Sequence, residues 1–272
     1  MFHVKPKNEQ ARRPKVSPLN PEKIASDALE RVARWLRETT LGPRDGFPER
    51  IEKMAATLAV WGARTNLTAN AADPAEIAFH VIDSLAPMAF AAGANRKALE
   101  AALAQGANVL DLGSGAGFPG LVLAAAFAAR FTLAESRRKR ASYLQVAAHE
   151  MGLRNVAIEQ RRASARSIGD GFDLVTARAF GTSVELYEIA AAALSPGGIL
   201  LLYASADQAL DASSDQVVLA EEDRGESLDD SRAHLPHFAE RAAWTYRLPH
   251  GERVVTRTAV LWSKLRALST SL

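Results

Sequence analysis

The chain has 272 residues, 48% of them apolar, with a formal net charge of +2, so one large domain, or a domain with an added segment, can bury a sizeable core. It has no cysteine, which excludes disulfides, cysteine-ligated zinc and thiol nucleophiles. The N-terminus lacks the apolar stretch of a signal peptide, and no apolar run is long enough to span a bilayer; the reading is a cytoplasmic chain with no membrane partner.

Residues 1–18 are basic (Lys5, Lys7, Arg12, Arg13 and Lys15 against Glu9), carry prolines and show no periodicity. They read as a disordered tail. Asn20-Pro21-Glu22 reads as an N-cap with proline at the first helical position, followed by Ile24, Ala28, Val32 and Trp35 on one face. Pro48 opens a second helix with Ile51, Met54, Leu58 and Trp61 in phase. Asp73-Pro74-Ala75-Glu76 has capping-box spacing and starts a third helix. A fourth is expected over 96–104. Residues 19–106 thus form a helical segment.

The pattern changes at Asn108. Short apolar strands are expected at 109–112, 131–134, 156–159, 172–176 and 199–203. Helices fall between them, from Pro119 to about Ala129, from Lys139 to Met151 and from Val184 to Ala193. Alternating strands and helices imply an α/β fold with a mostly parallel sheet covered on both faces. Trp244–Leu248 and Arg253–Trp262 flank His250-Gly251, a hairpin signal. A stretch from Asp207 to Asp230 carries nine acidic residues against Arg224 and reads as a solvated loop. Residues 107–268 form the second unit.

Asp111-Leu-Gly-Ser-Gly-Ala-Gly-Phe-Pro-Gly120 lies between the first strand and a helix. Its glycines, Gly113 and Gly115 among them, allow a sharp turn and close approach of a ligand. Glu135 ends the next strand, where a carboxylate can accept both ribose hydroxyls of a nucleoside. The acidic start, Asp111, would repel a pyrophosphate and suits a cofactor that carries an ammonium and a sulfonium, S-adenosylmethionine. No Lys-Ser/Thr pair follows, so a phosphate-cradling loop is not supported. A purely structural strand-to-helix turn is the plainer alternative.

Several ordered blocks between Ile51 and Lys264 resemble the bacterial small-subunit ribosomal RNA methyltransferase G family (RsmG/GidB). They are Trp61 through Asn66-Leu67-Thr68, His80-Val-Ile-Asp83-Ser84, and the loop ending Phe118-Pro119-Gly120. Glu135-Ser136 followed by Lys139-Arg140, Arg178-Ala179-Phe180, and Leu248-Pro-His-Gly251-Glu252-Arg253 complete the set. The resemblance implies a Rossmann-like class I methyltransferase with an N-terminal helical extension, methylating N7 of a guanine in 16S rRNA. It implies cofactor contacts at Gly113, Phe118, Glu135, Ala163, Ser164 and Arg178. The family commonly has an acidic residue where Ser164 stands. Its Lys-Gly pair after the fifth strand is also absent, because the chain reads Tyr203-Ala204-Ser205 there. Two alternatives therefore stay open: a methyltransferase acting on another RNA or a small molecule, and a cofactor-binding, RNA-associated protein without catalysis.

Guanine N7 has a free lone pair, so no general base is expected and no catalytic residue is named. Phe180 fits two roles, stacking on the base or packing in the core. Arg137-Arg138-Lys139-Arg140, with Arg154, Arg161, Arg162 and Arg166, fit contact with the phosphates of 16S rRNA or the small ribosomal subunit, or else a solvated face. His234-x-x-His237 has metal-ligand spacing, but Pro236 intervenes and no third ligand is evident, so no metal is expected. His80 and Asp83 read as a possible pair with a structural role, linking the N-terminal helices to the cofactor domain. Ser84 has no triad partners. A monomer is the default.

Overall fold

A computed structural model describes residues 20–178, 184–205 and 237–265. The expected basic tail, the acidic stretch, Ala179, Phe180 and His234 lie outside the described residues.

Helix α1 (Pro21–Arg37) starts at Asn20, whose side chain accepts from the Lys23 amide at 3.0 Å. That bond satisfies one of the free donors of the first turn. Its buried residues Ala25, Ala28, Val32 and Trp35 recur at helical spacing. Helix α2 (Phe47–Gly62) buries Ile51, Met54 and Leu58 on its inner face. Helix α3 (Pro74–Phe90) is capped by Asp73, which accepts from the Ala75 amide at 2.8 Å. Glu76 does not close the expected capping box; its carboxylate accepts from two histidines instead. Helix α4 runs from Gly93 to Ala102, earlier than expected at both ends. The Arg96 amide already donates to the Ala92 carbonyl, so Arg96 sits inside the first turn.

The sheet then forms from β1 (Asn108–Leu112), β2 (Arg130–Ala134), β3 (Val156–Glu159), β4 (Phe172–Arg178), β5 (Leu194–Ser205), β6 (Phe238–His250) and β7 (Arg253–Lys264). Helices α5 (Gly120–Ala126), α6 (Arg138–Glu150) and α7 (Val184–Ala193) connect its strands. The strand order is β3-β2-β1-β4-β5-β7-β6. Strands β1 to β5 are parallel, and β7 runs antiparallel between β5 and β6. This is the Rossmann-like, mostly parallel fold expected from the sequence.

Two boundaries differ for identifiable reasons. Helix α5 stops at Ala126 because its last carbonyls are taken by side chains: Arg44 donates to Ala124 and Ala125, and Asn155 to Ala124 and Phe127. Strand β6 begins at Phe238 rather than Trp244 because β7 pairs with it along its whole length, with one register shift near Phe238.

Side chains alternate across the sheet. Val109, Leu133, Leu174 and Leu201 face the core beneath α1, α2, α3, α5 and α6. Leu110, Ala134, Val175 and Leu202 face the core beneath α7. Each fully buried Leu or Ile, such as Leu110, Ile51 or Leu58, contributes about 1.5–3 kcal/mol. The chain reverses its direction of sheet growth between β1 and β4, which opens a crevice at their carboxyl ends.

Candidate functional site

The loop that follows β1 lies at that crevice. Gly113, Gly115 and Gly117 have φ of +69°, +54° and +86°, a region that L side chains rarely adopt. The Gly113 and Ser114 amides both donate to the Ala134 carbonyl, at 2.9 and 3.2 Å, which pins the loop to the end of β2. The Phe118–Pro119 peptide is cis, and α5 begins directly after it.

Glu135 closes the loop from the side. One carboxylate oxygen accepts from the Gly115 amide at 3.0 Å and the other from the Arg137 amide at 2.7 Å. Each oxygen keeps a further lone pair. Asp111 is fully buried beneath the loop. Its Oδ1 accepts from the Thr176 hydroxyl at 2.8 Å, whereas its Oδ2 has no partner among the described residues. Burial pushes the Asp111 carboxyl up to about 6, against the opposing pull of its hydrogen bonds and the positive charge of Arg178.

Arg178 ends β4 on the other side of the loop. Its guanidinium lies 5.2 Å from the centroid of the buried Phe118 ring. One nitrogen, Nη1, donates to Asp83 Oδ2 at 3.3 Å and to His80 Nδ1 at 3.2 Å, both on α3. Asp83 is fully buried and also accepts from Arg257 of β7, through Nε at 3.1 Å and Nη2 at 3.0 Å. Since His80 Nδ1 accepts, its Nε2 carries the proton and donates to Glu76 at 3.1 Å. Desolvation, reinforced by Arg178, His250 and Arg257, pushes His80 down to about 3, so the ring is neutral at pH 7. The second Glu76 oxygen accepts from His250 Nε2 at 2.8 Å, and that imidazole stacks on Phe79.

The structure thus brings Gly113, Gly115, Phe118, Glu135 and Arg178 to the carboxyl ends of β1, β2 and β4. Ala163 and Ser164 follow β3 along the same sheet edge, tied in by the Glu135 amide donating to Glu159. Ala163 is buried under α7, and the Ser164 hydroxyl meets that of Ser167 at 2.8 Å. No hydrogen bond joins these two residues to the glycine loop among the described residues. His80 and Asp83 are not paired with each other. Both bond to Arg178, so the link between helix and sheet is made, through a different partner. Sequence reasoning missed Arg257 and Glu76; their partners lie far away along the chain, and the His80-x-x-Asp83 block was the one local signal.

Arg137, Arg138 and Lys139 are exposed at the start of α6. Arg140 instead donates to the Asn66 carbonyl at 3.0 Å, which ties the Trp61–Thr68 block to the first turn of α6. Arg161 pairs with Glu159, and Arg162 lies 3.8 Å from Glu185 on the surface. At the end of β5, where the chain lacks a Lys-Gly pair, Tyr203 is buried and its hydroxyl donates to the Ser84 carbonyl at 2.9 Å. Ser84 Oγ donates within its own helix, to the His80 carbonyl. Among the described residues no group of three metal-ligating side chains occurs, and no helix is long and apolar enough to cross a membrane.

Residues 48–227 match the family described as rRNA small subunit methyltransferase G. Among curated proteins, "Ribosomal RNA small subunit methyltransferase G" of Wolinella succinogenes is 35% identical over 58% of this chain and 76% of its own length. The proteins of the same name from Coxiella burnetii and Sorangium cellulosum are each 35% identical as well. They cover 57% and 60% of this chain and 72% of their own lengths. Among solved structures, a SAM-dependent O-methyltransferase from Thermotoga maritima overlaps 69% of this chain and 72% of its own, with a TM-score of 0.43 and 16% identity.

Proposed function

The chain belongs to the rRNA small subunit methyltransferase G family, and from that premise we propose that it uses S-adenosylmethionine to methylate N7 of a guanine in 16S rRNA. The observation that carries the reading is the closure of the glycine loop by Glu135, through the Gly115 amide, at the point where sheet order reverses. The residues present suit that cofactor. Glycines with positive φ leave the backbone open to close approach, and the buried Asp111 places a carboxylate directly beneath the loop. Its negative charge favours a cationic ligand.

In this reading the backbone of Gly113, Gly115 and Phe118 lines the cofactor, Glu135 accepts the ribose hydroxyls, Ala163 and Ser164 border the adenine, and Arg178 completes the wall. Residues 19–106 support the methyltransferase unit, 107–268. The cofactor, when bound, supplies a methyl group on a sulfonium. The chain's residues have little proton chemistry to perform, because guanine N7 has a free lone pair. Their work is to hold the acceptor in line with the methyl and to keep water out, an effect of roughly 7–11 kcal/mol when alignment is good. Arg137, Arg138 and Lys139 face solvent beside Glu135 and contact RNA phosphates. The chain works as a cytoplasmic monomer on 16S rRNA or the small ribosomal subunit, without a metal.

One observation favours a second reading, a different RNA or a small-molecule acceptor: the chain reads Leu202-Tyr203-Ala204-Ser205 and lacks a Lys-Gly pair there. A transfer assay separates the two. Purified protein and methyl-labelled cofactor are incubated with small ribosomal subunits, naked 16S RNA and a metabolite extract, and the labelled base is mapped. Label on a guanine N7 of 16S rRNA is the expected result. Label confined to small molecules contradicts the proposal, and cofactor binding without transfer to any acceptor supports a non-catalytic role.

A further inference from the structure

We infer that Asp83 is a positioning residue for cofactor binding, acting through Arg178; the inference rests on the reading of the crevice as an S-adenosylmethionine site. An arginine side chain has many rotamers, and orienting it costs entropy unless its neighbours fix it. Here Nη1 is held by Asp83 and His80, and the guanidinium lies over the Phe118 ring. With Nη1 held, the planar guanidinium has a fixed direction for its other donors, Nε and Nη2. A planar fork held in this way is pre-organised for a polar ligand group.

The residues that hold Arg178 come from two other parts of the chain. Asp83 and His80 lie on α3, and Arg257, which grips both oxygens of Asp83, lies on β7. The neutral state of His80 is part of the arrangement, since a protonated ring could not accept from Arg178. A buried carboxylate shared by two guanidiniums is poor value for stability alone, because apolar residues of similar size would pack as well without the desolvation cost. Its placement beside the cofactor loop gives it a purpose. The N-terminal helices thereby become part of the cofactor site while supplying no atom that touches the cofactor.

The test is calorimetric titration of S-adenosylmethionine into the full-length wild type and into Asp83→Asn, Arg178→Gln, the double variant and Arg257→Gln, with the melting temperature of each. Asp83→Asn is expected to weaken binding at least tenfold. In the Arg178→Gln background the same change is expected to cost less than twofold more, because its route of action is already gone. Arg257→Gln disturbs the same buried triad but leaves Asp83 to Arg178; it is expected to lower the melting temperature while keeping affinity within threefold. Unchanged affinity in Asp83→Asn overturns the inference. So do losses that multiply in the double variant, or an equal loss in Arg257→Gln. If Asp83→Asn does not fold, His80→Leu carries the test: a severalfold loss that disappears in the Arg178→Gln background supports the inference, and unchanged affinity overturns it. A wild type that binds no cofactor overturns the cofactor reading, and this inference with it.

Discussion

A β-carbon on Gly120 would lie 2.6 Å from Asp111 Oδ2 and 2.9 Å from Leu133 Cγ, so helix α5 and strand β1 meet at a distance that glycine alone permits. Both neighbours are buried and cannot move aside. Gly120→Ala is expected to cost about 1–3 kcal/mol of stability and to weaken cofactor binding, since relief requires the loop to shift. Gly169→Ala is the control, because Gly169 has open space around it. Thermal melts of the two variants decide the matter. A Gly120→Ala melt equal to that of the control contradicts the packing described.

Asp111 is expected to make stability and cofactor binding depend on pH in opposite directions. Its carboxyl, near 3.8 in the unfolded chain, is raised to about 6 in the fold by burial. The folded state therefore keeps a proton that the unfolded chain has released. This contribution is fully present below pH 3.8 and is lost as pH rises through 6, an effect on the order of 2–3 kcal/mol. Asp111→Asn should lack that decline in melting temperature between pH 4 and 6. If the ionised carboxylate attracts the cofactor's positive charge, wild-type affinity for the cofactor should fall as pH drops through 6, and the Asn variant should show no such fall.

His80 has the opposite sign. Its pKa is lowered from 6.5 to about 3, chiefly by burial, so the unfolded chain takes up a proton that the fold refuses. The contribution is intact above pH 6.5 and is lost as pH falls toward 3, amounting to about 2 kcal/mol by pH 5. The expected signature in NMR is an imidazole that does not titrate between pH 8 and 5 and stays in the Nε2–H tautomer. A midpoint near 6.5 would contradict the hydrogen bonds to Arg178 and Glu76.

The glycine loop and Glu135 were legible in the sequence because one strand and one turn place them. Their period and composition are local signals, and the alternating strands and helices gave the sheet in the same way. The Asp83–Arg178–Arg257 cluster was not legible. Its bonds join residues 95 and 174 positions apart, so they exist only once the sheet and α3 have docked. The capping-box spacing at Asp73–Glu76 misled for the same reason: Glu76 is drawn to His250, which sits at the end of β6. Helix ends were misjudged where side chains from elsewhere stop the helix, as Asn155 and Arg44 do at α5.

The exposed start of α6 offers a test of RNA contact. Arg138, Lys139 and Arg140 occupy its first turn, where the helix dipole disfavours cations. Replacing Arg137, Arg138 and Lys139 together by glutamine should leave the fold and cofactor affinity unchanged. It should weaken RNA binding and flatten the dependence of log affinity on log salt by about two to three units if all three meet phosphates. An unchanged salt slope would assign these residues to a solvated face.

The central claim is that the loop from Asp111 to Gly120, closed by Glu135, holds S-adenosylmethionine. Titrating S-adenosylmethionine into the wild type and Glu135→Gln tests it most directly. The account predicts clear binding by the wild type and a loss of about tenfold to a hundredfold in the variant, as expected for charge-assisted hydrogen bonds of roughly 1.5–3 kcal/mol, with the fold retained by circular dichroism. Equal affinity in the two proteins, or no binding by the wild type, would contradict it.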